Sequence, residues 1–370
     1  MDGGRFFLYA PSIMPTPVSL FDYVLPPERI AQAPAQPRDH SRLMVLNRAT
    51  GAISHKQFFD IEGELNAGDV LVVNKTKVFK ARLRGRRFEK AFEVFLLRPL
   101  PGALDGASVW HALVRPGKLA HVGNFIELEG GLSPTVADKR PDGSVELAFP
   151  VPVEEVLAFA EAHGSVPIPP YVKETPGAVD AYQTAYAEKT GSVAAPTAGF
   201  HFTPELLVRV KAKGVQVETV VLHVGLGTFR PVKSDTLEEH EMHAEWVEIE
   251  RETAARVNAA KREGRRVIAV GTTTVRALEG VAASAAAPVA DPSAGPLPTD
   301  GFTGDVNLFI TPGFAFQVVD ALVTNFHLPK STLLVLVSAF AGREHVLAAY
   351  EEAVRQEYRF YSFGDAMFIR

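Results

Sequence analysis

A histidine between two phenylalanines is the first feature of this sequence that points to chemistry. His201 lies in SVAAPTAGFHFT, where Pro196 and Gly199 interrupt any helical spacing, so we predict a loop. The next residues, TPEL, offer a hydroxyl N-cap and a proline at the first helical position, which predicts a helix start. A histidine at that point can handle a proton beside a polar ligand, with Phe200 and Phe202 as stacking surfaces. The alternative is a packed loop histidine that is hydrogen-bonded to backbone.

Polar residues also follow predicted strands at three other places. HVGLGTFRPV ends a strand in a Gly-x-Gly turn at Gly225 and Gly227, which is typical either of close backbone approach to a ligand or of a simple turn. VIAVGTTTVRALE places Thr272 between a buried strand and a helix, and VTNFHLPKST places Asn325 and His327 after another strand. Ligands bind at the carboxyl ends of strands in open α/β sheets, so these segments predict one shared site.

The segment EHEMHAEW contains two histidines whose spacing bears on metal binding. His240 and His243 are three residues apart, whereas the zincin pattern needs histidines four apart on a helix. No further ligands cluster in this part of the sequence. We therefore predict no metal, and we interpret His243 and Glu245 as part of a polar site wall.

Basic residues are concentrated in one window of an otherwise acidic chain. The formal net charge is −5, but residues 74–90 carry +7, which leaves −12 on the remainder. Lysines and arginines there alternate with Ala81, Leu83 and Gly85, which predicts a strand with one basic face. That face is a candidate phosphate track, and the alternative is an edge strand protected by charge. The predicted RNA-binding residues are Lys75, Lys77, Lys80, Arg82, Arg84 and Arg86.

The strand and helix patterns place these residues in two units. A chain of 370 residues exceeds the usual limit for one hydrophobic core. Residues 74–150 alternate β-rich runs with Gly/Pro turns, which predicts a β-barrel domain that carries the basic strand. Residues 20–73 and 151–370 predict an α/β domain with helices and a mostly parallel sheet, into which the barrel is inserted. Residues 282–304 predict a flexible insert and residues 1–19 an N-terminal extension.

Composition excludes several other classes of protein. The hydrophobic fraction of 46% is that of a globular chain, and the lack of cysteine excludes disulfides and thiolate chemistry. The start of the chain has no convincing signal peptide, and the longest strongly apolar run, residues 332–341, is about half of what a membrane span needs. We expect a cytoplasmic protein with no membrane association.

Ten sequence blocks carry a resemblance to a known family. In chain order they are FDYVLPPERIAQAPAQPRDHSRLMVL, VNKTKV, IPPYV, YQTAYA, GSVAAPTAGFHFT, HVGLGTFRPV, EHEMH, VGTTTVRALE, LFITPGFAF and LVTNFHLPKSTLL. Over about residues 20–370 they closely resemble the S-adenosylmethionine:tRNA ribosyltransferase-isomerase family of queuosine biosynthesis. The departures are the N-terminal extension, the long Ala/Pro-rich insert, and Phe200 where the family usually has leucine.

The resemblance implies a specific reaction. It implies transfer and isomerisation of the ribosyl group of S-adenosylmethionine onto 7-aminomethyl-7-deazaguanine at the wobble position of tRNA, giving epoxyqueuosine and releasing adenine and methionine. It also implies an α/β domain with an inserted β-barrel. We expect S-adenosylmethionine as a co-substrate, no prosthetic group, tRNA as the partner and a monomeric chain.

Such a reaction needs a base that reaches the ribose carbon next to the sulfonium. His201, His223, His243, Glu245 and His327 are the candidates, and His201 is our first choice. The predicted catalytic residues are His201, His243 and Glu245. The predicted substrate-binding residues are Thr197, Gly199, Phe202, Gly225, Gly227, Thr228, Phe229, Thr272, Thr273, Thr274, Arg276, Asn325 and His327.

Two other classes of function remain open at this stage. One is an enzyme that uses S-adenosylmethionine on a small molecule, with the basic strand as a charged edge. The other is a non-catalytic RNA-binding protein, against which the polar strand ends outside the basic segment argue.

Overall fold

The computed structural model describes residues 15–87, 90–100, 106–169, 171–173, 176–225, 234–242, 244–285 and 295–370. The strands in these ranges are β1 (Arg42–Leu46), β2 (Ile53–Gln57), β3 (Val70–Asn74), β4 (Thr76–Val78), β5 (Arg82–Arg87), β6 (Lys90–Leu100), β7 (Ser108–Arg115), β8 (Glu127–Leu128), β9 (Thr135–Lys139), β10 (Val145–Phe149), β11 (Lys189–Ser192), β12 (Gln216–Leu222), β13 (Glu245–Ile249), β14 (Val267–Val270), β15 (Phe302–Val306), β16 (Ala321–Asn325) and β17 (Ala366–Ile369). The helices are α1 (Ile61–Glu64), α2 (Val153–His163), α3 (Pro176–Ala181), α4 (Pro204–Ala212), α5 (Arg251–Arg262), α6 (Thr272–Ala285), α7 (Thr332–Ala341) and α8 (Arg343–Arg355).

The larger sheet is mixed, with a parallel centre. Its order is β15-β13-β12-β3-β14-β16-β17-β1-β2. The neighbours from β12 to β16 are all parallel, as are β17 and β1, whereas the other pairs are antiparallel. The chain therefore has an α/β fold, but the mostly parallel sheet that the sequence predicted is not confirmed. The apolar runs of the central strands indicated parallel pairing. The sequences of the outer strands do not distinguish parallel from antiparallel pairing.

Alternation along the central strands produces two cores, one on each face of the large sheet. In β3, Val70 and Val72 join a cluster with residues of α5 and α6, whereas Leu71 and Val73 join a cluster with residues of α4. Side chains of successive strand residues point to opposite faces, so an uninterrupted apolar strand must be covered on both. This burial holds the ends of the central strands in fixed positions.

The second sheet is built as a barrel with its own core. Its order is β8-β5-β6-β7-β10-β9, and its neighbouring strands are antiparallel. The segment before β8 pairs with β9 through an isolated bridge and hydrogen bonds such as Gly123 N–H to the Val136 carbonyl, 2.8 Å. The first and last strands of the order therefore meet. Inward residues such as Val94, Trp110 and Leu147 fill the interior.

Regular or packed structure reaches into the predicted insert and the predicted N-terminal extension. Helix α6 continues to Ala285 and β15 begins at Phe302, so both ends of the predicted 282–304 insert are regular structure. Leu297 is buried and its backbone is hydrogen-bonded to the Asn258 amide on α5. In the predicted 1–19 extension, Val18 is buried and its N–H donates to the Asp235 carbonyl. Residues 1–14 lie outside the described residues.

Within the described ranges, no single helix is long and apolar enough to cross a bilayer. Helices α7 and α8 have the necessary length and composition only together, and the pair is bent by 116°.

Candidate active site

Four parallel strands end at one edge of the large sheet and bring the polar segments together. Strand β3 ends at Asn74, β14 leads into Gly271, and β16 ends at Asn325, while the residues after β12 lie beside them. A cavity lies at this edge, which we call the strand-end cavity. Its lining includes Tyr171, Thr197, Val224, Gly271, Thr272, Thr273, Thr324, Asn325, His327, Tyr361 and Ser362. The enclosed volume of about 50 Å³ holds only a few waters, so a larger ligand must extend through the mouth or displace lining side chains.

Asn325, which lines this cavity, joins the Thr197–His201 segment to the turn that contains Tyr361. Its Oδ1 accepts from the Thr197 hydroxyl at 3.2 Å, and its Nδ2 donates to His201 Nε2 at 3.1 Å and to the Tyr361 carbonyl at 3.2 Å. An amide that donates twice and accepts once in a buried position is fixed in orientation. Asn325 therefore sets the relative positions of Thr197, His201 and Tyr361.

His201 is buried and both of its ring nitrogens have protein partners. Nδ1 lies 2.7 Å from the Ser41 hydroxyl, and Nε2 accepts from Asn325. The ring stacks on Phe58 with centroids 4.9 Å apart. Burial, together with the charges of Arg359 and Arg38, lowers the pKa of His201 to about 3, so the ring is neutral at pH 7.

His327 lines the strand-end cavity and retains a ring nitrogen for a ligand. Nε2 lies 2.8 Å from the Thr324 hydroxyl, whereas Nδ1 has no hydrogen-bond partner in the part of the chain that the structure describes. The backbone on either side is anchored by two tyrosine hydroxyls: the His327 N–H donates to Tyr350 and its carbonyl accepts from Tyr23. Burial lowers the pKa of His327 to about 3, so this ring is also neutral.

The three threonines at the start of α6 have different surroundings. Thr272 and Thr273 line the cavity, and the Thr273 hydroxyl is 3.5 Å from Asn74 Nδ2. Thr274 is fully buried and its hydroxyl donates to the Val270 carbonyl at 2.7 Å. Thr272 and Thr273 thus combine hydroxyls with the N-terminal N–H groups of a helix, which favours polar or anionic ligand atoms.

A buried ion pair lies behind the same edge. Glu245 on β13 and Arg276 on α6 are each about 5% exposed, and their Oε2 and Nη1 atoms are 2.5 Å apart. The other carboxylate oxygen accepts from the Gly225 N–H at 3.2 Å. The pair fixes the chain that leaves β12, next to Val224 of the cavity lining.

The six predicted RNA-binding residues fall into two groups. Lys75 is paired with Glu250 at 2.9 Å, Lys80 with Glu161 at 3.0 Å, and Arg82 lies 3.8 Å from Glu93. Lys77, Arg84 and Arg86 are exposed and have no ion pair with any residue in the described ranges. Of the six, these three are therefore the cations that an external phosphate reaches most directly.

Strand β5 is hydrogen-bonded on both sides and is not an open edge. It pairs with β6 along its length, and on its other side Arg82 exchanges hydrogen bonds with Ser165 while the Arg84 carbonyl accepts from Glu129. Gly85 and Arg86 lie opposite β8. The exposed arginines therefore do not protect an unpaired edge, which removes the structural basis of the charged-edge alternative.

Comparison with known proteins places the chain in a family. The family model described as queuosine biosynthesis protein matches residues 18–369. The chain belongs to this family. It is 51% identical over 352 residues to a protein of Carboxydothermus hydrogenoformans and 48% identical over 357 residues to one of Heliobacterium modesticaldum, covering 94% and 95% of this chain and 98% and 99% of theirs. Both relatives are named S-adenosylmethionine:tRNA ribosyltransferase-isomerase.

A solved structure of the same kind also matches. The crystal structure of S-adenosylmethionine tRNA ribosyltransferase from Thermotoga maritima is 39% identical to this chain, with a TM-score of 0.54 over 95% of this chain and 100% of that one. The resemblance stated from the ten sequence blocks is thus confirmed.

Several residues that the sequence grouped together are brought together by the fold. Thr197, Thr272, Thr273, Asn325 and His327 line one cavity, and Glu245 and Arg276 form one ion pair. The loop around His201 is a 3-10 turn, Thr197–His201, and the predicted N-cap at Thr203 is confirmed, because its hydroxyl accepts from the Leu206 N–H.

The structure corrects the assignments of Phe202 and Gly199. Phe202 is fully buried and packs edge-on against Phe58, with centroids 4.9 Å apart. The buried Phe200 stacks on Phe363, with centroids 5.7 Å apart, so neither ring offers a stacking surface to a substrate. The space in which a side chain at Gly199 would lie is occupied by the Tyr186 hydroxyl, so glycine is needed here for internal packing. Where an aromatic residue and a polar residue are adjacent in a loop, the sequence alone does not show which of the two side chains faces the core.

The cavity residues that were not predicted from the sequence include Tyr171, Tyr361 and Ser362. The Tyr171 hydroxyl lies 2.5 Å from the Ser362 hydroxyl, and the rings of Tyr171 and Tyr361 are 4.0 Å apart. Tyr361 has a φ of +74°, a left-handed conformation that bulky residues rarely adopt and that is often retained at functional sites. The available signal was the aromatic-rich turn RFYSFGD between α8 and β17.

Four predicted residues, Gly227, Thr228, Phe229 and His243, lie outside the described residues. A search of the described chain finds no group of three or more His, Asp or Glu side chains placed to hold a metal ion.

Replacing Thr273 and Thr274 in turn distinguishes a residue that acts in the site from one that only stabilises the fold. We expect Thr273→Val to lower turnover about tenfold or more with little change in melting temperature, because its hydroxyl faces the cavity and has only a long internal contact. Thr274→Val is the matched control. It leaves the Val270 carbonyl without its partner, so it should cost about 1–3 kcal/mol of stability and leave turnover per folded molecule unchanged. The reverse pattern in turnover and thermal melting would assign the site role to Thr274.

The buried neutral histidines predict a loss of stability in acid. Because the pKa of His201 is lowered to about 3 in the folded state, only the unfolded state binds its proton between about pH 3 and 6.5. The free energy of unfolding therefore falls as the pH drops below about 6.5, by up to about 1.4 kcal/mol per pH unit for this group. In denaturant titrations from pH 7 to 4.5, His201→Gln should reduce that slope and His121→Gln, an exposed control, should not. Equal slopes for all three proteins would contradict the buried neutral state.

Proposed function

We propose that this protein transfers the ribosyl group of S-adenosylmethionine to 7-aminomethyl-7-deazaguanine at the wobble position of tRNA and isomerises it. The products are epoxyqueuosine in the tRNA, adenine and methionine. The observation that carries this proposal is the 48–51% identity, over nearly the whole chain, to relatives named for that activity. The strand-end cavity, with its fixed polar groups, is the proposed place of reaction.

The chemistry requires a base near a cation. A sulfonium acidifies the adjacent 5′ carbon of the ribose, so removal of that proton gives an ylide, and adenine leaves as the sugar opens. The nucleophile is the amine of the RNA base, so the chain needs to supply no covalent nucleophile. We assign the base to His327 in place of His201, in the tautomer whose Nε2–H donates to the Thr324 hydroxyl and leaves Nδ1 as the acceptor. His327 lines the cavity with Nδ1 unengaged, while both nitrogens of His201 have partners.

The other cavity residues have supporting roles in this proposal. The Tyr171–Tyr361 pair offers aromatic faces to the sulfonium, an arrangement that stabilises cations. The Thr272 and Thr273 hydroxyls and N–H groups suit the hydroxyls of the opening sugar. His201 acts through Asn325, whose amide orientation it fixes, and is a positioning residue.

The remaining features of the proposal follow from the reaction. S-adenosylmethionine is a co-substrate and no prosthetic group takes part. The partner is tRNA, and the exposed Lys77, Arg84 and Arg86 support that part of the proposal. We also propose that the protein works in the cytoplasm as a monomer without a membrane, and that the barrel, within residues 74–150, acts as an RNA-binding domain inserted into the α/β domain.

Product release tests the proposal against its two rivals. We expect adenine and methionine to be released together, in equal amounts, only when S-adenosylmethionine and tRNA bearing the aminomethyl-deazaguanine base are both present. Release with a small-molecule acceptor but not with tRNA would favour a small-molecule enzyme. Tight tRNA binding without any adenine release would favour a non-catalytic RNA-binding protein.

Removal of the exposed arginines should reduce the electrostatic, salt-dependent contribution to RNA affinity. We expect Arg84→Ala with Arg86→Ala to lower tRNA affinity and to reduce the slope of log K against log salt by roughly one unit per lost contact. Lys211→Ala with Arg251→Ala removes two exposed cations elsewhere and is the control. Affinity for S-adenosylmethionine should not change. An unchanged salt slope would exclude β5 from the RNA interface.

A further inference from the structure

A second cavity lies where the barrel meets the large sheet. We call it the junction cavity; its volume is about 270 Å³. Barrel residues such as Leu97, His111 and Leu113 form one wall, and the residues after β12 together with the start of β13 form the other. Val224 lines both the junction cavity and the strand-end cavity, so the two cavities are neighbours at this residue.

The junction cavity and the exposed arginines of β5 share one face of the barrel. Leu83 and Gly85 point into the barrel, so Arg82, Arg84 and Arg86 lie on its outside. On β7, the buried Ala112 likewise places His111 and Leu113 outside. The pairing register places Arg82 opposite Phe95 of β6, and Phe95 opposite Leu113 of β7. One row of side chains therefore leads from the basic strand to the cavity wall.

A relay of hydrogen bonds fixes the polar groups of this wall. The Ser144 hydroxyl donates to Asp142 Oδ1 at 2.6 Å, so His111 Nε2, 2.7 Å from the same hydroxyl oxygen, must be the donor. That tautomer leaves His111 Nδ1 as an acceptor, and it has no partner within the described residues. Burial, followed by the charge of Arg140, lowers the pKa of His111 to about 4, so the ring is neutral at pH 7.

The remaining lining combines fixed cations with apolar surface. Arg98 is held by Asp305 at 2.7 Å and Arg140 by Glu146 at 2.7 Å, which leaves further guanidinium N–H groups in set directions. Leu97 and Leu113 supply aliphatic surface between them. A free anion would not select a cavity that also contains Asp142 and Glu245, and a purely apolar ligand would leave His111 Nδ1 and the remaining guanidinium N–H groups without hydrogen bonds. A flat heterocycle with hydrogen-bond donors and acceptors on its edge can pair with the polar groups of the lining and pack its ring against the aliphatic surface.

We propose that the junction cavity receives a nucleobase extruded from an RNA strand whose phosphates lie along Arg84 and Arg86. The base then lies next to the strand-end cavity, on the other side of Val224. This inference rests on the proposed function and adds to it the place at which the RNA base enters. Enzymes that react with a base in structured RNA or DNA commonly take it out of its stack into such a pocket.

Fluorescence of a base analogue tests this placement without turnover. An anticodon stem-loop with 2-aminopurine at the wobble position should brighten about two-fold or more when the wild-type protein binds, because extrusion removes stacking. Leu113→Lys fills the cavity and should abolish the rise while RNA affinity changes by less than about tenfold. Val109→Lys places the same charge on the same face of β7 outside the lining and should behave as wild type. Leu97→Lys, which narrows the cavity from β6, repeats the test if melting shows that Leu113→Lys is unfolded.

The possible results distinguish failure of the base-binding inference from failure of the proposed function. A preserved rise in folded Leu113→Lys and Leu97→Lys overturns the inference. A loss of affinity for S-adenosylmethionine of about tenfold or more in those variants also overturns it, since the cavity would then hold part of that substrate. If the wild-type protein shows the rise but never releases adenine with modified tRNA, the proposed function fails while the base-binding cavity stands.

Discussion

Replacement of His327 by glutamine is expected to slow single-turnover adenine release by about 10²- to 10⁴-fold, the usual contribution of a general acid or base. Glutamine can retain a hydrogen bond to Thr324 but has no basic nitrogen to accept the proton from the ribose carbon. Affinity for tRNA should stay within about threefold, because His327 lies at the strand-end cavity and not on the barrel. Rapid-quench measurement of adenine, with saturating substrates, separates this chemical step from binding.

His201→Gln is the matched comparison, since both histidines are buried and neutral. We expect less than about a tenfold loss of rate for this variant, because the nitrogens of His201 serve Ser41 and Asn325. A large loss in His201→Gln with near-normal chemistry in His327→Gln would return the role of base to His201, as the sequence first suggested.

Arg276→Met is expected to lower the free energy of unfolding by about 3–5 kcal/mol, because it removes the guanidinium that is paired with the buried Glu245 carboxylate. Methionine approximates the length of the arginine stem, so the loss reports the charge more than the volume. The double variant Arg276→Met with Glu245→Gln should recover most of the stability, since no buried charge remains. Chemical denaturation of the two single variants and the double variant measures this coupling.

The same set of variants tests a catalytic role for Glu245. If Glu245 only fixes the Gly225 backbone, turnover per folded molecule in the double variant should stay within about tenfold of wild type. A loss of 10²-fold or more in a double variant of recovered stability would give Glu245 a place in the chemistry, as the sequence predicted.

The strand ends show what sequence patterns can establish about this site. Continuous apolar runs such as Val267–Val270 identify parallel, doubly covered strands, and the polar residues that follow them must meet at one edge. This is why Thr273, Asn325 and His327, far apart in the chain, were grouped correctly. The basic face of β5 could also be predicted, because the alternation of basic with small or apolar residues lies within one short segment of the chain.

What the sequence did not show depends on tertiary packing. Phe202 was expected to stack on a substrate, but its direction is set by Phe58 from another loop. Sequence alone does not distinguish Lys75 and Lys80 from Arg84, because their ion-pair partners, Glu250 and Glu161, are distant in the chain. The Tyr361 ring enters the cavity lining through a left-handed backbone that no local pattern indicates for tyrosine.

The most direct test of the proposed function follows the ribose carbons. The protein would be incubated with S-adenosylmethionine labelled with ¹³C in the ribose, or separately in the methyl group, and with tRNA that bears the aminomethyl-deazaguanine base. Digestion of the tRNA and mass spectrometry of the wobble nucleoside should show all of the ribose label and none of the methyl label, with adenine released in equal amount. Methyl label in the nucleoside, or ribose label found only in a small-molecule product, would contradict the account.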